Sequence, residues 1–158
     1  MISIGVTGHQ SIPSEALTFI QEGLRDIIRR FGNQHTGVSS LAAGADQLFA
    51  DLLLRSGGRL HAVIPCHGYE STFSNPNELG HFLALRKSAT VVETLNYPEP
   101  SEEAFLEAGH RVVDLSDLLV AVWDGKVARG KGGTADIVGY AREHDREVVI
   151  LWPAGIAR

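Results

Sequence analysis

One cysteine in 158 residues is too few for an intramolecular disulfide or a cysteine-based metal site, and no metal centre is expected. No apolar run approaches the ~18 residues a membrane helix needs. The opening Met1-Ile2-Ser3-Ile4-Gly5 also lacks the charged, apolar and cleavable pattern of an export signal. The expectation is a cytoplasmic domain with no membrane partner. Basic residues are short as well: fourteen against nineteen acidic ones give a net charge of -5, and the pI is near 5.8. Proteins that neutralise nucleic-acid phosphates usually carry a basic face, so nucleic acid is not expected as a partner. Linkers and low-complexity segments are missing too, which leaves a single domain over residues 1–158. A chain of this length buries roughly 70% of its unfolded surface and needs no staples.

Glycine is what the chain has in plenty, with 17 residues. Its placement follows an alternation of short β-branched runs and longer segments of helical period. Strands are expected over residues 2–7, 36–40, 60–64, 89–95, 117–123 and 148–152. Residues 13–31 carry Leu17, Ile20, Leu24, Ile27, Ile28 and Phe31 at the spacing of one apolar helix face, and residues 45–55 repeat the pattern with Leu48, Phe49, Leu52 and Leu53. Asn75-Pro76-Asn77-Glu78 reads as a helix start running to residue 87. Ser101 caps a helix to residue 113, and residues 133–144 form the last long one. The run 118–122 is apolar throughout, as in a strand buried on both faces. Strand and helix in this order give a doubly wound α/β fold: a mostly parallel, Rossmann-like sheet in a three-layer α/β/α sandwich.

In such folds ligands bind beyond the carboxyl ends of the strands. Three glycine-bearing segments fall there: Gly5-Val6-Thr7-Gly8-His9 after the first strand, Ala43-Gly44-Ala45-Asp46 after the second, and the stretch 124–136 after the fifth. Glycine lets backbone amides approach an anion closely, and a helix N-terminus adds unpaired N–H groups and partial positive charge. Thr7, Gly8, His9, Gly44, Asp46, Asp124, Gly130, Gly132, Gly133 and Thr134 are therefore the candidate ligand- and phosphate-binding residues. Gly5 to Gly8 is not the dinucleotide fingerprint. Gly125 to Lys131 matches G-x-x-x-x-G-K but is followed by Gly132, not the Ser or Thr that holds magnesium.

Asp46 and Asp136 are the candidate catalytic carboxylates. Beside anion-binding glycines, a carboxylate can accept hydrogen bonds from ribose hydroxyls or support N-glycosidic cleavage. His61, Cys66 and His67 read as structural, Arg86 as a solvated or salt-bridged residue and Trp123 as core.

Val6-Thr7-Gly8-His9, Ala43-Gly44-Ala45-Asp46 and Gly130-x-Gly132-Gly133-Thr134-Ala135-Asp136 together resemble the SLOG superfamily of Rossmann-like domains. That group includes the Lonely Guy phosphoribohydrolases, the molybdenum-cofactor carriers, the DNA-processing protein of natural transformation and stand-alone bacterial domains with a Thr-Gly-His start. The resemblance implies a nucleotide or nucleotide-derived phosphate ligand, held by a sensing or processing domain that assembles as a homodimer or homotetramer. It equally admits two alternatives: cleavage of a nucleoside 5'-monophosphate to free base and ribose 5-phosphate, or carriage of a larger cofactor. The chain departs from the Lonely Guy pattern, because no proline precedes the glycines and Ile137 stands where that pattern has Glu.

Overall fold

The computed structural model describes residues 2–31, 34–127 and 133–157. Six strands, β1 (Ile2–Gly8), β2 (His35–Ser39), β3 (Arg59–Ile64), β4 (Val91–Thr94), β5 (Leu118–Val122) and β6 (Glu147–Ile150), form one sheet in the order β4-β3-β2-β1-β5-β6. Every neighbouring pair is parallel. Five helices connect them: α1 (Ser14–Arg30), α2 (Ala45–Arg55), α3 (Pro76–Ser88), α4 (Glu102–Asp114) and α5 (Thr134–Glu143). The expected α/β class and parallel Rossmann-like sheet are what the chain forms.

Strand alternation divides the core in two. Leu118, Val120 and Val122 of β5 join Ile4 and Val6 of β1 in the larger core, with Ile20 and Leu24 of α1, Phe49 and Leu53 of α2 and Phe82 of α3. Leu119 points the other way, to Val112 and Val113 of α4 and Ile137 of α5. All five β5 residues are at most 1% exposed, which is why that run reads as unbroken apolar sequence. Glycines let helices close onto the sheet: a Cβ on Gly5 would lie 2.9 Å from Val112 Cγ1, and one on Gly37 2.8 Å from Phe49 Cε2.

Strand order runs outward from β1 in both directions, so β1 and β5 flank the switch point where crossovers change face. Loops leaving their carboxyl ends diverge there and leave a crevice.

Some sequence expectations shift. Leu17 is 38% exposed, although helical spacing sets it on the face of the buried Ile20, Leu24 and Ile28; it stands in the first turn of α1. Trp123 lies at the exit of β5, half-buried, its Nε1 donating to Lys126 O at 2.8 Å. Residues 89–95 do contain an edge strand, paired with β3. A 3-10 turn at Tyr69–Thr72 precedes α3 and had no signal in the sequence.

Candidate functional site

A cavity of about 720 Å³ opens at the carboxyl edge of the sheet. Its wall takes residues from the turns after β1, β2 and β3 and from the first turns of α2, α3, α4 and α5. Thr7, Gly8, His9, Asp46, Gly133 and Thr134 all line it; Gly44, Asp124 and Asp136 do not. Gly130 and Gly132 lie outside the described residues.

The helix ends differ in a way that matters. Asn75 caps α3, its Oδ1 accepting the Asn77 N–H at 2.8 Å, and Ser101 caps α4, its Oγ accepting the Ala104 N–H at 3.1 Å. By contrast α5, preceded by Gly133, has no side-chain cap among the described residues. Its first turn therefore presents N–H groups without intrahelical partners, and the neighbouring Gly133 and Thr134 face the cavity. Thr134 is 7% exposed. The α2 end is also uncapped by side chains, but its first amide is used: Ala45 N–H donates to His9 O at 3.1 Å.

That bond explains Gly44. Its φ is +81°, and a Cβ there would stand 2.4 Å from Gln10 O and 2.5 Å from His9 O. Gly44 lets the turn after β1 cross over the start of α2, and so shapes the cavity from behind. Gly8 is equally constrained, since a Cβ would meet Val122 O at 2.7 Å.

His9 is clamped. Its N–H donates to Val122 O at 3.1 Å, and its Nε2 accepts the Asp124 N–H at 3.1 Å. Asp124 Oδ1 lies 3.3 Å from the same nitrogen, and Trp152 meets the ring edge-on with centroids 5.2 Å apart. His9 and Asp124 thus tie the exits of β1 and β5 together at the switch point.

Asp46 sits in the first turn of α2, 8% exposed. Burial pushes its carboxyl up to about 7, against the opposing pull of the Ala42 amide, the Ser39 hydroxyl and the Ser40 backbone. Its Oδ2 accepts the Ala42 N–H at 3.2 Å. The preceding turn is bent by Leu41, whose φ of 59° is unusual for a branched apolar residue. Ser39 Oγ accepts the Leu41 N–H at 3.0 Å, and Gln47 Nε2 donates to Leu41 O at 3.3 Å and to Glu78 O at 3.1 Å. Asp136, by contrast, lies on the exposed side of α5.

Three features of the cleft had no sequence signal. Gln47 couples two turns far apart in the chain. The strained Leu41 follows a strand with no glycine or asparagine to announce it. Tyr69, Phe73 and Phe105 form an aromatic end; Tyr69 and Phe73 pack edge-on at 5.4 Å. Burial, with a smaller contribution from the Asp46 charge, holds the Tyr69 phenol well above its ordinary pKa.

The other polar candidates sit elsewhere. Glu93 takes His61 Nε2 at 3.2 Å and Arg111 Nε at 2.6 Å, and Arg86 pairs with Glu70 at 2.8 Å. Among the described residues no group of three or more His, Cys, Asp or Glu is arranged to hold a metal, and no helix is long and apolar enough to cross a membrane.

No family model and no curated protein matches the sequence. Solved structures do. The chain is similar to DNA processing protein A of Helicobacter pylori, described for its single-stranded DNA binding mode: TM-score 0.69 and 16% identity over 94% of this chain and 64% of that one. It is similar to DNA processing protein A of Streptococcus pneumoniae at TM-score 0.69 and 17% identity, covering 95% of this chain and 50% of that one. The molybdenum cofactor carrier protein of Chlamydomonas reinhardtii follows at 0.53 and 19%, covering 94% and 75%. The chain thus spans less than two thirds of either DNA processing protein. At these identities the likeness is one of fold, an α/β Rossmann-like fold. The exclusion of nucleic acid is corrected here. A fold shared with proteins of which one has a described single-stranded DNA binding mode is not closed to nucleic acid by net charge alone, because backbone amides can take phosphates where the overall balance is acidic.

Proposed function

We propose that this domain binds a nucleotide or nucleotide-derived phosphate in the cleft at the carboxyl edge of the sheet, as a sensing or processing module. The observation that carries the reading is the α5 N-terminus, without a side-chain cap among the described residues and facing the cleft at the β1–β5 switch point. Three first-turn amides at roughly 1.5–3 kcal/mol each for charge-assisted bonds, with a dipole contribution of up to ~2 kcal/mol, offset the ordering of a bound ligand. The outcome is affinity on the order of micromolar to millimolar. Thr7 and Thr134 supply hydroxyls beside that end, and Asp46 stands where a ribose diol can bond to it.

Calorimetry and thermal shift test this with nucleoside 5'-mono- and diphosphates, ribose 5-phosphate and an oligothymidylate. One or more of these stabilises the domain, and Thr134→Val weakens that ligand about tenfold, the worth of one hydrogen bond to a charged group. If no phosphate compound stabilises the protein, the reading is wrong.

A second reading has one observation in its favour. A carboxyl held near neutral in a buried cleft is matched to general acid–base work, and Asp46 meets that description. In N-glycosidic hydrolysis it would activate water to attack C1' as the base departs with its electron pair and a proton. Base release from AMP is the assay, and activity that persists in Asp46→Asn would remove Asp46 from that role.

A further inference from the structure

The charge on the cleft wall is not explained by its phosphate end. None of the described lining residues is Lys or Arg, while Asp46, Glu78 and Glu102 all carry carboxylates. Glu78 lies in the first turn of α3 and Glu102 in that of α4, where an acid favours the helix end whatever it faces. Two facts go beyond that. Neither glutamate has an ion-pair partner among the described residues, although the nearby Glu70 is held by Arg86 at 2.8 Å. And two mostly buried side chains, Tyr69, 5% exposed, and Thr134, 7% exposed, line the same cavity, their hydroxyls without a hydrogen-bond partner among the described residues. Both hydroxyls keep their hydrogen-bonding capacity for whatever enters the cavity, so polar ligand atoms can use them.

The two hydroxyls stand at opposite ends. Thr134 begins the helix after β5, and Tyr69 follows β3, three strand positions along the order β3-β2-β1-β5. At ~4.8 Å per strand that is about 14 Å. The β3 end is walled by Tyr69, Phe73 and Phe105, with the two glutamates beside them. It is apolar, unsaturated and negatively charged at once, and suits a flat ring that donates hydrogen bonds or carries positive charge. A second phosphate would meet carboxylates there.

We infer that Glu78 and Glu102 are specificity-determining residues that select an amino-bearing or cationic group at the end of the ligand remote from its phosphate. This rests on the phosphate reading of the α5 end. The amino group would donate to a carboxylate while its ring lies against the aromatic wall, a charge-assisted bond that an oxo group in the same place cannot make. An oxo group would set its lone pairs against the carboxylate instead.

Calorimetry on two ligand pairs differing only in that group tests it: CMP against UMP, and AMP against IMP. The amino member binds at least about fivefold tighter, roughly the worth of one hydrogen bond. In a Glu78→Gln/Glu102→Gln double variant the ratio falls to within about twofold. At Glu78, the third residue of α3, Gln serves as Glu does, and at Glu102, the first residue of α4, the Ser101 cap is untouched; a thermal melt verifies that both helix starts stay formed. Equal binding of amino and oxo partners by the wild type, or a preference that survives in the double variant, overturns the assignment. If ribose 5-phosphate and all four nucleotides fail to bind, the phosphate reading falls and takes this inference with it. If ribose 5-phosphate binds and the pairs do not differ, only the glutamate assignment falls.

Discussion

Gly44 and Asp46, two residues apart, show how differently neighbouring positions serve one cleft. Gly44 is required by the backbone: positive φ costs an L-residue about 1–2 kcal/mol, and its Cβ would also press on two carbonyl oxygens of the first turn. Gly44→Ala should therefore lower stability by at least about 2 kcal/mol in denaturant unfolding, with m unchanged. Asp46 matters through its charge. Its folded pKa is raised from 3.8 to about 7, so the folded state binds a proton more tightly than the unfolded chain. The stability this confers is fully present below pH ~4 and is lost as pH rises through about 7. Asp46→Asn lacks that loss, so the variant's melting temperature should gain on the wild type's between pH 4 and 8. A difference that stays flat across that range would show that the carboxyl titrates normally. The cause was hidden from the sequence, in which Asp46 is an ordinary first-turn acid. Its burial at the start of α2, a property of the folded chain, is what desolvates it.

Among the elements, helix starts sort into two kinds. α3 and α4 are closed by Asn75 and Ser101, residues that announce themselves in the chain, and both ends stand where expected. Asn75 also sets Glu78 in place, because its Oδ1 accepts that residue's N–H at 3.4 Å as well as that of Asn77. Asn75→Ala should cost about 1 kcal/mol of stability by chemical denaturation. α5 has glycine in place of a side-chain cap, an omission that is legible in the sequence and on which the proposed anion binding rests. The turn at 40–44 was legible only as a glycine-bearing loop. Its strained Leu41 is stabilised by Ser39 and Gln47, partners that lie close in sequence but carry no motif.

Across the whole molecule, the switch point between β1 and β5 gathers turns from separate crossovers over one hollow, tied by the His9–Asp124 contacts and backed by Trp152. Any ligand that binds only the folded state raises global stability, by about 2.7 kcal/mol at a hundred times its dissociation constant. A nucleotide that fills the cleft should raise the melting temperature accordingly, and Thr134→Val should shift the required concentration upward without changing the melting temperature of the free protein by more than a degree or two. A comparable loss in the free protein would mark Thr134 as packing and not as ligand-binding.

The sequence by itself determined the class of fold. Apolar periodicity, caps and breakers are local properties, and six strands alternating with five helices leave a parallel, doubly wound sheet as the way to bury both helix layers. It also determined which turns lie at the carboxyl edge, since that follows from strand direction alone. Only the tertiary structure decided which residues share the cavity: Asp46 faces it while Asp136, likewise a first-turn aspartate, turns to solvent, and Tyr69, Glu78 and Glu102 arrive from elements that no spacing links. Burial and mutual approach are properties of several elements at once. They are set by helix rotation and sheet order, which one-dimensional patterning does not encode.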